Sequence, residues 1–304
     1  MNESVVKRFW RYVEVPTKVA SLLPFILALL YAAYRYHQIS VLRTSVFFIS
    51  MLSFDLSVTA LNNYMDSKAD GTALPFSKAV SKGILCALWA FALSAGLLLV
   101  YYTGPVVLVC GGLCFCVGIL YSYGPVPISR MPLGEVISGV FMGFFIPFLV
   151  VYINAPVQSL VWYSYQSFVL EVSVNIANLF SLAVLMVPAV LGIANIMFAN
   201  NICDVEKDIK VKRLTLPYYI GNKNALRLYT LLYIAAYAAV IALAVFRILP
   251  PYVLIVLLGL TAVQINIRKF KAFQSKKETF PLSIVNFLIL IVPLILVTAA
   301  AALI

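Results

Sequence analysis

The sequence is poor in charge: only 11% of its 304 residues are charged, whereas 63% are hydrophobic. Soluble domains have about a quarter charged and half apolar residues, so this composition excludes a soluble globular protein and indicates an integral membrane protein. The long apolar stretches also lack strict alternation, which excludes a membrane β-barrel and selects helices. No stretch reads as a soluble domain or a long linker, and we expect residues 1–304 to form a single membrane domain.

Histidine and cysteine are also scarce. The single histidine, His37, falls in a loop that we expect to be solvated, which argues against histidine-dependent catalysis. The 5 cysteines show no metal-binding spacing, and all but Cys203 lie within apolar stretches. We therefore expect packed thiols rather than a metal centre or disulfides.

Long apolar stretches are what the sequence has in abundance. About 20 apolar residues cross a bilayer as a helix. Nine stretches meet this requirement, at residues 17–36, 42–61, 84–102, 105–120, 136–153, 179–198, 225–246, 251–267 and 281–304. The sequence thus predicts an all-α membrane protein with nine transmembrane helices around a central cavity. Residues 168–178 are an ambiguous lead-in to the sixth span, and an interfacial helix is our expectation there.

The net charge of +11 raises the question of nucleic acid as a partner, but the position of the charges argues against it. With nine spans and a cytoplasmic N-terminus, every Lys and Arg except Arg35, Arg43 and Arg247 lies on the cytoplasmic side. This is the positive-inside distribution. We predict a multi-pass protein of the cell membrane, with its N-terminus and polar loops in the cytoplasm and its C-terminus outside. Such a basic face suits anionic lipid or an anionic substrate.

Two similar polar stretches directly follow the second and sixth spans. Residues 61–70 read LNNYMDSKAD and residues 199–208 read ANNICDVEKD, so both contain N-N-x-x-D-x-x-x-D. The first Asn and both Asp of each copy are spaced by four and share one face of a helix. We call the two copies the first motif and the second motif. Their recurrence predicts that the bundle has two pseudo-repeated halves.

Carboxylates spaced by four weaken a helix, and carboxylates at a membrane edge lose hydration, so each motif needs a compensating cation. An ordinary wet helix end explains one such cluster better than two equivalent ones. Mg²⁺ prefers oxygen ligands, often one or two carboxylates together with substrate phosphates. We predict that Mg²⁺ ions held by the two motifs clamp a diphosphate. The predicted ligands are Asn62, Asp66, Asp70, Asn200, Asp204 and Asp208, and the four aspartates are the predicted catalytic residues.

Basic residues beside the motifs suit the same ligand. Lys68 lies in the first motif, whereas Lys212 and Arg213 follow the second. Lysine is a common point-charge partner of phosphate, and arginine can bind phosphate through two hydrogen bonds. We predict that these three residues and Lys18 bind the diphosphate, although the positive-inside rule accounts for some of the basic charge.

Asp55 lies well inside the second span, on the same helical face as Asn62 and Asp66. An intramembrane carboxylate is a functional candidate. A protonated carboxyl group that is hydrogen-bonded to a neighbouring helix is an equally good interpretation, and the sequence leaves both open.

A third polar stretch, LYSYGPVPISRMPLGEVISG at residues 120–139, connects the fourth and fifth spans. Its prolines and glycines indicate a structured loop, and a tight turn between spans would explain them fully. The stretch nevertheless places Tyr121, Tyr123 and Arg130 on the same side of the membrane as both motifs.

With these three stretches, the chain resembles the UbiA superfamily of intramembrane aromatic prenyltransferases. The first motif is similar to the family's N-D-x-x-D-x-x-x-D and the second to its D-x-x-x-D, and nine helices also match. The stretches LYSYGPVPISRMPLGE, NNICDVEKD and RLTL (residues 213–216) most resemble the 1,4-dihydroxy-2-naphthoate polyprenyltransferase branch of menaquinone synthesis. The similarity extends from VPTKVASLLPF to the last helices.

The resemblance implies Mg²⁺-dependent transfer of a polyprenyl group from its diphosphate to dihydroxynaphthoate, with loss of the ring carboxylate as CO₂, giving demethylmenaquinol. It also implies a pocket for the aromatic acceptor and the allylic cation, whose aromatic faces stabilise positive charge. Arg130 is the candidate anchor for the acceptor carboxylate. The residues assigned to this pocket are Asn63, Tyr64, Tyr121, Ser122, Tyr123, Arg130 and Asn201.

Asn63 is a departure from the family, which commonly has Asp at this position, and it allows a pseudoenzyme that only binds isoprenoid diphosphates. Other acceptors of the superfamily, 4-hydroxybenzoate, homogentisate or a tetrapyrrole, also remain open. A transporter is a further alternative because transporters contain repeats and polar residues within spans. The position of both motifs at one membrane face, rather than at the midplane, favours an enzyme.

Overall fold

The structure is a computed structural model, and it describes residues 3–69, 71–125 and 127–304. Within these residues, nine helical segments are long and apolar enough to cross a membrane, as predicted. The α-helices are α1 (Val5–Tyr12), α2 (Val19–Tyr36), α3 (Val41–Ala69), α4 (Lys78–Thr103), α5 (Pro105–Ser122), α6 (Gly134–Val140), α7 (Ile146–Asn154), α8 (Ile176–Lys210), α9 (Leu216–Val245), α10 (Leu260–Ala272) and α11 (Pro281–Leu303). A π-helical turn at Phe141–Phe145 joins α6 to α7, and 3₁₀ helices occupy Val15–Lys18, Ile128–Arg130 and Pro251–Gly259.

The second and sixth spans are longer than their apolar stretches predict. α3 has 29 residues and α8 has 35, so both helices continue beyond the apolar stretch into the polar motif. The first motif, as far as Ala69, and the whole second motif are therefore helical. Asn62 and Asp66 share one face of α3, and Asn200, Asp204 and Asp208 share one face of α8, as the sequence indicates.

Residues 161–174 form an antiparallel β-hairpin, which corrects the expectation of an interfacial helix beginning at Phe168. The strands are β1 (Val161–Gln166) and β2 (Val169–Val174), and Gln166 pairs with Val169. Their β-branched and aromatic residues favour strands. Ser167 and Phe168 have φ of 50° and 65°, which gives the two-residue turn whose twist matches a hairpin. α8 then begins at Ile176, after Asn175 caps it by accepting from the Asn178 amide.

The core is centred on α8, the most buried of the nine spans, which packs against α6, α9 and α11. Small residues allow the closest of these contacts. A Cβ atom on Gly139 would lie 2.6 Å from the Val190 carbonyl oxygen, and one on Gly143 would lie 2.7 Å from Val190 Cα. These two glycines form a G-x-x-x-G pattern, which lets membrane helices approach at backbone distance. The contact fixes the fifth span, and with it residues 120–139, against α8.

Contacts between Ser122 and Asn62, between Glu135 and Asn201, and between Lys276 and Asp204 bring the C-terminal ends of α3, α5, α8 and α10 to one face of the bundle. Both motifs, residues 120–139 and the segment between α10 and α11 therefore share that face. The two pseudo-repeated halves and the central cavity stay predictions.

Candidate active site

The first motif is oriented by the end of α5. Asn62 Nδ2 donates to Asp66 Oδ2 at 3.2 Å, and Ser122 Oγ donates to Asn62 Oδ1 at 3.1 Å. Asn62 thus couples the Asp66 carboxylate to the third stretch, 60 residues further along the chain. Asp70, the other predicted carboxylate of this motif, lies outside the described residues.

The other polar and aromatic residues of the first motif contact different parts of the protein. Asn63 Nδ2 donates to the Tyr12 carbonyl oxygen at 3.0 Å and to Glu14 Oε1 at 3.2 Å, so Asn63 contacts the segment that precedes the first span. The Lys68 ammonium lies 4.7 Å from the centre of the Tyr64 ring, a cation–π distance. The predicted pocket roles of Asn63 and Tyr64 and the predicted diphosphate role of Lys68 stay predictions.

The second motif meets a cation that sequence reasoning did not select. Lys276, between α10 and α11, donates to Asn200 Oδ1 and also to Asp204 Oδ2, the latter at 2.5 Å. The sequence shows Lys276 only as one of several basic residues in a loop. Its position on the same membrane face as the motif was the only available signal.

Asp208 ends the second motif in a buried position, with 5% of its surface exposed. Arg213 Nε lies 3.8 Å from Asp208 Oδ2, and the Arg213 backbone amide donates to the Asp208 carbonyl oxygen at 2.9 Å. The turn between them requires a left-handed Lys212, with φ of 55°. Arg213 therefore lies beside the Asp208 carboxylate, whereas the Lys212 side chain is exposed. The diphosphate roles of both residues stay predictions.

The third stretch bridges the two motifs. Tyr121, next to the Ser122 that contacts Asn62, directs its hydroxyl to Met197 Sδ on α8 at 3.7 Å. Arg213 Nε donates to the Ser129 carbonyl oxygen at 2.9 Å, and the Leu214 amide donates to the Arg130 carbonyl oxygen at 3.1 Å. The sequence placed these residues on one side of the membrane, and their contacts bring them together. Tyr123 is mostly exposed.

A second link between the third stretch and α8 is fully buried. Asn201 Nδ2 donates to Glu135 Oε1 at 2.8 Å, and these residues are 2% and 3% exposed. The sequence predicted a site role for Asn201 but not for Glu135. The one feature of the sequence that could have identified Glu135 is its carboxylate in the loop that lies on the same side as the motifs. The bond holds the N-terminal turn of α6 against the second motif.

Three buried acceptor atoms in this region have no hydrogen-bond partner within the described part of the chain: Glu135 Oε2, Asn201 Oδ1 and Asp208 Oδ2. A buried acceptor without a hydrogen-bond donor is costly, and such atoms are rare in folded proteins. Of the three, Asp208 Oδ2 has a nearby cation, because Arg213 Nε lies 3.8 Å away. Each of them can receive a proton donor or a metal ion. Their clustering at the second motif is consistent with a cationic or hydrogen-bonding ligand.

The lysine of the first span that we predicted to bind diphosphate is buried and makes its hydrogen bonds inside the protein. Lys18 is 3% exposed, and its ammonium donates to Asp55 Oδ1 at 2.9 Å and to Thr59 Oγ1 at 2.5 Å. Ser21 Oγ donates to the other oxygen of Asp55 at 2.5 Å. Asp55 is therefore paired with a cation on the neighbouring helix, while the diphosphate role of Lys18 stays a prediction.

The ligand chemistry of the second motif fits Mg²⁺ bound together with phosphates. Asn200, Asp204 and Asp208 offer oxygen atoms, and two carboxylates are a typical protein contribution to such a site. Among the residues that the structure describes, no group of three or more His, Cys, Asp or Glu side chains converges on one point. A metal shared with a phosphate ligand is compatible with the oxygen atoms of Asn200, Asp204 and Asp208.

Comparison with known proteins identifies chains of similar sequence and fold. The chain is similar to 1,4-dihydroxy-2-naphthoate octaprenyltransferase of Bacillus subtilis (strain 168), with 24% identity over 270 residues that cover 85% of this chain and 80% of the relative. A solved UbiA homolog from Archaeoglobus fulgidus bound to GPP and Mg²⁺ matches with a TM-score of 0.65 and 14% identity, over 98% of this chain and 100% of that chain. The apo UbiA homolog from Aeropyrum pernix K1 matches with a TM-score of 0.64 and 17% identity, over 90% and 97%.

The two solved structures support the fold alone, because their identities are low. The sequence model of the UbiA prenyltransferase family, by contrast, matches residues 21–291, which include both motifs and the third stretch. A match over most of the chain decides the family, and the nine candidate spans within the described residues agree with it. The chain belongs to the UbiA prenyltransferase family.

Proposed function

We propose that the protein transfers a polyprenyl group from polyprenyl diphosphate to 1,4-dihydroxy-2-naphthoate, a step of menaquinone synthesis. The observation that carries the proposal is the bridge formed by residues 120–139. Ser122 contacts the first motif at Asn62, while Glu135 contacts the second motif at Asn201. These contacts support a single site in which the two motifs would bind the diphosphate and the third stretch would bind the aromatic acid. The Bacillus relative adds support for the naphthoate acceptor.

The diphosphate end of the proposed site consists of the two motifs. Asp66, Asp70, Asp204 and Asp208 would hold Mg²⁺, with Asn62 and Asn200 as further ligands. The metal, when bound, supplies positive charge that stabilises the leaving diphosphate. Lys68, Lys212 and Arg213 would add to that charge from the protein. Only the stabilisation that increases as the carbon–oxygen bond breaks accelerates the reaction.

The acceptor end is formed by the third stretch. Arg130 would bind the carboxylate of the naphthoate, and Tyr64, Tyr121 and Tyr123 would present aromatic faces to the allylic cation. The breaking bond leaves its electron pair on diphosphate, and the ring supplies the pair for the new carbon–carbon bond. The ring then recovers its electrons by losing CO₂. The overall exchange needs no oxidant or reductant.

The orientation of the protein is part of the proposal. The motifs, residues 120–139 and most of the basic residues would face the cytoplasm, and the C-terminus would lie outside. The polyprenyl tail would extend between the spans toward lipid, while its charged end stays at the aqueous face. Both substrates would then enter from the cytoplasmic side.

Product analysis tests the proposal directly. Membranes that contain the protein are incubated with dihydroxynaphthoate, a prenyl diphosphate and Mg²⁺, and the lipid extract is analysed by mass. We expect the mass of the prenylated ring without its carboxyl group, lost on addition of EDTA and restored by Mg²⁺. Parallel incubations with 4-hydroxybenzoate and homogentisate identify a different acceptor. Substrate-dependent flux in proteoliposomes without product would instead support a transporter.

A matched pair of variants tests the residue assignment. Asp204→Asn removes a proposed metal ligand, whereas Glu206→Gln removes a carboxylate from the same helical turn whose side chain is exposed. We expect the first variant to lose at least about a hundredfold in turnover, the scale on which removal of an electrostatic group at the reacting centre acts. The second should keep turnover near that of the wild-type protein. Equal activity of the two variants would contradict the assignment.

A further inference from the structure

Lys276 contacts the same oxygen atoms that the second motif would offer to a metal. Its ammonium donates to Asn200 Oδ1 and to Asp204 Oδ2. Its side chain is 45% exposed and the Asp204 side chain is 23% exposed, so the pair lies at the aqueous edge of the site rather than in the core. The contact joins residues that are 72 positions apart in the sequence.

The segment that carries Lys276 has a defined structure. Thr279 Oγ1 accepts from the Ser275 amide at 2.9 Å and donates to the Phe273 carbonyl oxygen at 2.8 Å. The Lys276 ammonium also lies 5.1 Å from the centre of the Phe280 ring. The backbone on both sides of Lys276 is thus fixed, while its long side chain can change direction without a change of the backbone.

An ammonium group and a divalent cation at the same two oxygen atoms repel each other over a short distance. Mg²⁺ contacts its oxygen ligands at about 2.1 Å, so a metal bound through Asn200 Oδ1 and Asp204 Oδ2 competes with Lys276 for these atoms. Metal binding through this pair of atoms therefore favours the departure of Lys276. A displaced ammonium has a favourable new partner only if the metal arrives with an anion.

We propose that Lys276 occupies the second-motif metal position when no diphosphate is present, and moves onto the diphosphate when the metal–diphosphate complex binds. The inference deepens the proposed function and rests on it for the identity of the anion. Its consequence is coupled binding: the free metal competes with Lys276, whereas the metal–diphosphate complex provides the ammonium with a phosphate oxygen. The site would therefore have a lower affinity for a divalent cation alone than for the same cation bound to the diphosphate.

Binding measurements with Lys276→Met test the proposal, with Lys277→Met as the matched control. Lys277 is the adjacent lysine and is exposed. Mn²⁺ affinity, measured by electron paramagnetic resonance on purified protein without diphosphate, should increase about fivefold or more in Lys276→Met, because an exposed ion pair that competes with the metal is removed. Lys277→Met should bind Mn²⁺ as the wild-type protein does.

The second measurement uses geranyl thiolodiphosphate, an unreactive analogue, in the presence of Mg²⁺. Lys276→Met should bind the analogue about fivefold more weakly or worse, because the charge-assisted contact to phosphate that it loses is stronger than the exposed ion pair with Asp204 that no longer has to break. The two effects thus have opposite signs. A purely structural lysine would not raise one affinity while lowering the other.

Addition of Asp204→Asn to Lys276→Met shows where the metal effect arises, because the gain in Mn²⁺ affinity should disappear in the double variant. Unchanged Mn²⁺ affinity in Lys276→Met, or a gain that persists without Asp204, would overturn the proposal. Neither binding assay involves an acceptor or a product. Failure of the naphthoate transfer assay and failure of this inference are therefore separate results.

Discussion

The buried ion pair between Lys18 and Asp55 gives the sharpest test of the packing between the first two spans. The Lys18 side chain is 4% exposed and that of Asp55 is 13% exposed. Lys18→Met leaves a carboxylate in a membrane interior, where the Ser21 hydroxyl is its remaining side-chain partner within the described part of the chain. Asp55→Asn conversely leaves an ammonium without its counter-ion. Removal of one member of a buried pair typically costs about 3–5 kcal/mol, because the remaining charge is desolvated and uncompensated.

The double variant Lys18→Met/Asp55→Asn removes both charges, and Ser21 can still donate to the new amide. Replacement of a whole buried ion pair by neutral groups is often close to neutral in stability. Each single variant should therefore unfold about 6–10 °C below the wild-type protein, at about 2 °C per kcal/mol for a large chain. The double variant should return to within a few degrees of wild type.

Thermal unfolding of the detergent-solubilised protein, followed by size-exclusion chromatography after heating, measures all four forms. A single variant as stable as wild type, or a double variant no better than the worse single one, would refute the reasoning. The transfer assay on the double variant then tests the predicted diphosphate role of Lys18. A stable double variant with an unchanged KM for the prenyl diphosphate would make Lys18 a structural residue.

Two further predictions concern positions where the structure allows one side chain and not another. Gly143→Ala places a Cβ 2.7 Å from Val190 Cα and should lower thermal stability by several degrees, whereas Gly112→Ala meets no atom within 4 Å and should not. Asn63→Asp replaces a donor by a carboxylate beside the Tyr12 carbonyl and Glu14, and should cost about 1–3 kcal/mol in unfolding experiments. Adding Glu14→Gln should recover part of that loss; a fully stable Asn63→Asp would contradict the role of the Asn63 amide.

The amide contacts of Asn63 also give a physical reason for the departure from the family pattern. Asn63 donates to two acceptors that precede the first span. An aspartate, the residue that the family commonly has here, cannot donate when ionised and would repel Glu14. The sequence shows that the residue differs but not why, because Tyr12 and Glu14 are about 50 positions away in the chain.

The hairpin at residues 161–174 shows where sequence reasoning failed. Apolar and polar residues alternate only weakly along its strands, so the sequence shows no clear period of two next to the apolar sixth span. Its turn is formed by Ser167 and Phe168 and contains no glycine. Positive φ at such residues is uncommon, so the turn carries no sequence signature. Pairing with Val161–Gln166, rather than local preference, makes Val169–Val174 a strand.

The sequence alone predicted nine spans, which the described part of the chain contains, and the shared helical face of the motif residues that are spaced by four. These features follow from local rules, because backbone groups in lipid must bond within their own helix and residues spaced by four must share a helical face. Tertiary structure decided the partners: Lys276 for Asp204, Glu135 for Asn201 and Lys18 for Asp55. These pairs are 37 to 72 positions apart in the sequence, and only helix packing, through close contacts such as Gly143 on Val190, brings them within hydrogen-bond distance.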